Sequence, residues 1–408
     1  MSRRRASNSE SLASSSVNEA MAYPFSGMQQ SNTYPQRRGP IEGPGGRRLV
    51  RRVTWRSSTY KLMASLWVLG VLYMVWLIRD IFYLPFSYFS KPAVPTNPGD
   101  DLLAQFVGRE ECGISSRALY LPPHDVGETR FCQNRPSLLR SMSDGGRHGF
   151  GAPYASQGCS YRWYTEAEIC DILNRFDGIS FVGDDSLADA YAGFNILLRQ
   201  DLKLGSLKSW EMSGALDSDC GCDSQFTNRV CLSARIASSE ELLRQKDGEP
   251  QSPYICSAKI PHMFLSATGS PALSSAHDKF KGLLNRPSER KKPVAVIQSL
   301  SLSTSYSLAT AESSIDEWLT LAKTSARDTP FLWVGPTAPG HLNPPGDNVH
   351  ANSWQYTQET TTLAQSRGID VLGMYNATVQ AQSWDGMHYG EDVALMQAMM
   401  IINWLAFL

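Results

Sequence analysis

From residue 178 onward, short apolar runs alternate with longer stretches whose apolar residues recur every three to four positions. GISFVG (178–183) reads as a buried strand, and SLADAYAGFNILLRQDL (186–202) follows it at helical spacing. The alternation then resumes. PVAVIQS (293–299), TPFLWVG (329–335) and IDVLGM (369–374) read as strands. ESSIDEWLTLAKTSA (312–326), TQETTTLAQSRG (357–368) and EDVALMQAMMIINWLAF (391–407) read as helices. Strands buried on both faces and separated by amphipathic helices predict an α/β domain, a mostly parallel sheet with helices on both sides. In such sheets reactive groups collect beyond the carboxyl ends of the strands. The segment 335–353, GPTAPGHLNPPGDNVHANS, is too rich in Gly and Pro for regular structure and reads as a loop over that rim.

Upstream the pattern differs. The run LMASLWVLGVLYMVWLI (62–78) contains no charge, and with the turn that follows it reads as a transmembrane signal anchor over 62–84. Sixty-one residues precede it, more than the basic segment of a cleaved signal holds. Residues 1–61 carry eleven Lys/Arg against three acids, whereas Lys91 is the one basic residue close beyond Arg79. The positive-inside bias therefore expects a single-pass type II topology, with a disordered basic tail in the cytoplasm and the C-terminal part in the lumen of the secretory pathway. A Pro-rich stem (85–105) leads to a luminal domain (106–408), whose first part (106–177) holds many Gly, Pro and Cys.

Charge and cysteine usage sharpen the assignment. Beyond residue 61 the chain holds 27 basic and 36 acidic residues, which gives it no electrostatic reason to bind nucleic acid. All eight cysteines (112, 132, 159, 170, 220, 222, 231 and 256) lie after the apolar run, an even number that reads as disulfides in an oxidising lumen, with pairing left open. Cys220-Gly221-Cys222 lacks the second pair that a zinc site needs, so no metal or cofactor is expected. The one N-x-S/T sequon, Asn376-Ala377-Thr378, is a glycan acceptor on the luminal side.

Two short segments carry chemistry. Asp385-Gly386-Met387-His388 puts a carboxylate three residues from an imidazole, a spacing that lets Asp385 reach the far ring nitrogen of His388. A hydroxyl nucleophile would complete the set, and Gly183-Asp184-Asp185-Ser186 offers one after the first strand. The acids Asp184 and Asp185 also suit the positive end of a helix as plain caps. Trp318, Trp333, Trp384 and Trp404 read as core residues, and the six other histidines read as surface or loop residues.

Phe181-Val182-Gly183-Asp184 before a helix, with Ser383-Trp384-Asp385-Gly386-Met387-His388-Tyr389-Gly390 before the last helix, resembles the SGNH (GDSL-type) hydrolase superfamily. The similarity is greatest to its glycan O-acetyltransferase and esterase branch, the PC-esterase and trichome-birefringence-like proteins, including fungal type II membrane members. Asn195-Ile196-Leu197-Leu198 and the Cys-x-Cys near Cys220 add to it. It implies a three-layer α/β/α domain and acyl-ester chemistry on a glycan substrate. It also implies a Ser–His–Asp set and an oxyanion hole of backbone amides with a Gly and an Asn. The chain departs from that pattern. Laid without a gap, Asp185 occupies the nucleophile position and Ser186 stands one residue late. Gln298–Thr304 contains neither the Gly nor the Asn, and Ala188-Asp189 replaces an expected Arg or His. Two functions follow: an acetylesterase or O-acetyltransferase of the secretory pathway, expected in the Golgi, or a catalytically silent domain of the same fold that binds glycan or a partner.

Overall fold

The structure is a computed structural model that describes residues 58–87, 101–106, 112–121, 131–212, 218–243, 254, 256, 259–288, 290–343 and 348–408. Residues 1–57 of the basic tail and 88–100 of the stem lie outside these residues. The chain divides into two units, Met1–Ala93 and Val94–Leu408.

In the first unit, α1 (Ser58–Ser87) covers the expected anchor. Its described side chains, 61–76, are all exposed and are apolar or small after Lys61. They account for about 24 Å of helix, short of the roughly 30 Å apolar slab of a bilayer. Among the described residues, no helix is long and apolar enough to cross a membrane.

The second unit is an α/β domain. A small ribbon, β1 (Gly146–Arg147) and β2 (Tyr154–Ala155), precedes a five-stranded parallel sheet. The sheet strands are β3 (Gly178–Gly183), β4 (His262–Ser266), β5 (Val294–Ser299), β6 (Phe331–Val334) and β7 (Asp370–Leu372), in spatial order β4-β3-β5-β6-β7. Phe181 stands opposite Phe264 on one side and Ile297 on the other, and Leu332 opposite Asp370. The strand order reverses between β3 and β5. That switch point opens a crevice beyond their carboxyl ends, where ligands of doubly wound sheets sit.

Alternate strand residues feed two cores, as the period of two requires. Ile179, Phe181, Ala295, Ile297, Leu332 and Leu372 face the layer that holds α2 (Arg135–Asp144), α3 (Glu166–Leu173), α4 (Asp185–Arg199) and α8 (Glu391–Ala406). Val182, Val294, Val296, Phe331 and Trp333 face α5 (Ser274–Leu284), α6 (Leu308–Lys323) and α7 (Val349–Ser366). Helix α8 is buried on every side, which explains its near-continuous apolar sequence. It packs closely on α4: a Cβ at Gly193 would lie 2.4 Å from the carbonyl oxygen of Ala394.

Strands 178–183 and 293–299 and the last helix lie within a residue of the expected positions. Three differences have physical causes. Strand β4 and helix α5 have no counterpart in the pattern analysis, because β4 is an edge strand with His262 and Ser266 at its ends. Helix α7 begins at Val349, inside the segment expected to be loop, because Ser353, Tyr356, Thr357 and Thr360 form its buried face with few aliphatic residues. His262, expected at the surface, is 1% exposed within β4. Trp318, Trp333 and Trp404 are core residues, as expected.

Four disulfides tie the domain together: Cys112–Cys222, Cys132–Cys159, Cys170–Cys256 and Cys220–Cys231. No free cysteine is present. This usage fits an extracellular or secretory-pathway protein. Asp223, next to two of these bridges, accepts the Glu391 N–H through Oδ1 at 2.8 Å and so caps the start of α8.

Candidate functional site

The β3–α4 turn, the segment after β5, the segment after β6 and the loop before α8 meet at the switch point. They enclose a cleft of about 120 Å³ lined by Asp184, Asp185, Ser186, Ser301, Ser303, Tyr306, Thr337 and His388, among others. Ser186, Thr337 and His388 also line a narrower recess that reaches Asp189 and Gln397. The two distant sequence segments thus share one rim.

His388 is set by Asp385. Nδ1 pairs with Asp385 Oδ2 at 2.8 Å, while Asp385 Oδ1 accepts the backbone N–H of Met387 at 2.9 Å and of His388 at 2.7 Å. Burial works to raise the Asp385 carboxyl. The hydrogen bonds from the His388 ring and these two backbone groups outweigh it and hold the carboxyl below its ordinary range. Gly386 supplies the tight turn at φ 88°, a conformation that a side chain would strain. The Trp384 ring stacks on His388 at 5.9 Å between centroids. From the segment after β6, Gly340 N–H and Asn343 Nδ2 both donate to the Gly386 carbonyl, and Tyr389 OH donates to Ala338 O. With Nδ1 engaged, the Nε2 of His388 is the nitrogen available for proton transfer.

Ser186 lies in the first turn of α4. Its Oγ makes a 3.5 Å hydrogen bond with Thr337 Oγ1, and no hydrogen bond joins it to His388. Asp185 is exposed at the helix start, where its charge suits the dipole. Asp184 stands at the N-cap but makes no side-chain capping bond. Its Oδ2 crosses instead to the segment after β5, accepting from Ser301 N at 2.8 Å, Ser301 Oγ at 3.0 Å and Ser303 Oγ at 3.1 Å. So the capping function expected of Asp184 is replaced by a tie between the two sides of the crevice. The carbonyl of Asp184 takes the N–H of Leu187 and Ala188, and the N–H groups of Asp185 and Ser186 have no intrahelical acceptor.

Sequence reasoning missed several members of this site. Thr337 and Tyr306 reach it from loops, and their side chains carry no pattern that could announce them. Ser305 and Tyr306 hold φ values of 51° and 59°, left-handed backbone that costs non-glycine residues about 1–3 kcal/mol each. Such strain concentrates at working sites. Asp189, one turn along α4 from Ser186, forms an ion pair with Arg235 at 2.7 Å, and both side chains are largely buried. Burial pushes the Asp189 carboxyl up, against the pull of Arg235 and, further off, of His388. Asn376 stands away from the cleft: its Nδ2 donates to Ser143 O at 3.2 Å, and Thr378 is buried with its hydroxyl donating to Met374 O.

Among the described residues, no cluster of His, Cys, Asp and Glu is arranged to hold a metal ion. Comparison of the chain with family models, with characterised proteins and with solved structures returned no match.

Proposed function

We propose that the second unit is a serine-dependent acyl-ester enzyme, an acetylesterase or O-acetyltransferase acting on glycan hydroxyls in the secretory pathway. The observation that carries this reading is the pairing of a carboxylate-held imidazole with Ser186 on one cleft at the sheet's switch point. In the proposed reaction Ser186 Oγ leaves Thr337, gives its proton to His388 Nε2 and attacks the ester carbonyl. Asp385 keeps the ring in the tautomer that accepts at Nε2 and stabilises the imidazolium. The oxyanion is held by the free N–H groups at the start of α4, with the Thr337 hydroxyl close by. Neither Gly nor Asn lines this cleft, so the SGNH-type resemblance supports the Ser–His–Asp set more than it supports that oxyanion hole.

The anchor belongs to the same proposal. An exposed apolar helix, a basic flank before it and four disulfides after it support a type II membrane protein with the catalytic unit in the lumen, in the Golgi. The test is acetyl-ester hydrolysis by the purified full-length protein and by Ser186→Ala and His388→Ala. Loss of turnover in both variants is expected. Equal activity in wild type and Ser186→Ala would sink the mechanism.

One observation favours a second reading, a catalytically silent domain that binds glycan or a partner: Ser186 spends its hydrogen bond on Thr337 rather than on His388. A fluorophosphonate probe separates the two. Labelling that depends on Ser186 supports the enzyme. An unlabelled wild type that gains esterase activity from Asp185→Ser supports the silent domain.

A further inference from the structure

A larger cleft lies elsewhere, along the outer side of β7 between α2 and α7, with a volume of about 470 Å³. That is within the range of ligand clefts, roughly 300–1,000 Å³. Strand β7 ends the sheet, and its residues Asp370 and Val371 line the cleft, so among the described residues no neighbouring strand covers this edge. Open edges are a pairing hazard that folded proteins cover in some way.

The cleft's surface has the chemistry of a sugar site. Trp354 is 43% exposed and meets the Tyr375 ring edge-on at 4.9 Å. An exposed tryptophan face is a stacking platform for the apolar face of a sugar ring. Gln358, Thr361 and Gln365 continue from Trp354 along one face of α7 and offer neutral donors and acceptors. Charged groups in the lining are few, Arg140, Asp144 and Asp370, and Asp370 is paired with Arg135 at 3.2 Å. Asn376, the acceptor of the chain's one sequon, lines the same cleft.

The geometry points to this groove as the seat of the chain's own glycan, linked to Asn376, lying against Trp354 and covering the β7 edge. In the attachment, Asn376 Nδ2 bonds to the anomeric carbon of a lipid-pyrophosphate-linked oligosaccharide, the lipid pyrophosphate leaves, and one amide proton is released. The other N–H stays on Nδ2 and keeps the donation to the Ser143 carbonyl. The inference rests on the oxidising, secretory placement and is independent of the acyl chemistry, so the esterase assay and the present test fail separately.

The test uses the full-length protein made in a eukaryotic secretory host. Peptide mass spectrometry across residue 376 reads occupancy, and the rate of glycan release by a peptide N-glycosidase is compared between native and denatured protein. Occupancy of Asn376 is expected, with native release at least tenfold slower than denatured release. Trp354→Ala should remove most of that difference. Should Trp354→Ala not fold, Gln358→Ala, exposed one turn along α7, carries the comparison. A bare Asn376, equal native and denatured rates, or slow native release that the folded variant leaves unchanged overturns the proposal.

Discussion

Acid should destabilise this domain through one histidine, and the size of the effect follows from its surroundings. His262 sits in β4 against the rings of Tyr191, Phe194 and Tyr254, with one hydrogen bond to the Tyr191 hydroxyl at 2.9 Å. Its Nε2 is buried and finds no partner among the described residues. Burial pushes its pKa down to about 3. In the unfolded chain the imidazole titrates near 6.5. The folded state therefore refuses a proton that the unfolded state accepts, and stability is lost as pH falls from about 6.5 toward 3. At pH 5 the gap of roughly 1.5 pH units, at about 1.36 kcal/mol each, amounts to about 2 kcal/mol. His262→Gln keeps a partner for Tyr191 and removes the titration. Urea unfolding at pH 7.5 and pH 5 should show the stability difference between variant and wild type moving by about 2 kcal/mol in the variant's favour. A difference that stays constant across this range would refute the assignment of a neutral, proton-excluding core histidine.

Other perturbations separate chemistry from scaffold. Asp385→Asn should lower kcat on acetyl esters by about 10⁴-fold, because the imidazole loses the partner that fixes its tautomer, with little change in melting temperature. Arg235→Ala strands the buried Asp189 carboxylate and should cost about 3 kcal/mol in chemical unfolding, much of it recovered by adding Asp189→Asn. Gly193→Ala forces a methyl against the Ala394 carbonyl and should cost about 1–3 kcal/mol, read as a lower urea midpoint.

What could be read from the chain depended on how far each signal reached. Strand β3, strand β5 and helix α8 are buried on nearly all sides, so their apolar runs are long and uninterrupted. Strand β4 pairs with another sheet strand on one edge only, and its five residues mix His and Ser with Met, Phe and Leu, a pattern too weak to stand out. The Asp385–His388 pair was legible because three-residue spacing nearly dictates its contact. Asp184 reaching Ser301, Asp189 reaching Arg235 and Thr337 meeting Ser186 join residues 46 to 151 positions apart, as the differences between their numbers show. Only the folded sheet brings those partners together. The pairing of the cysteines was hidden for the same reason, since separations range from 11 to 110 residues.

Asp223 gives the disulfides a second role. It holds the first N–H of α8 two residues beyond Tyr389, from a segment that the flanking bridges at Cys220 and Cys222 pin in place. Copies held in a reducing compartment would lose the two bridges that pin this brace. Under the proposed acyl-ester function, oxidation of these bridges would thus decide where in the cell the site becomes competent.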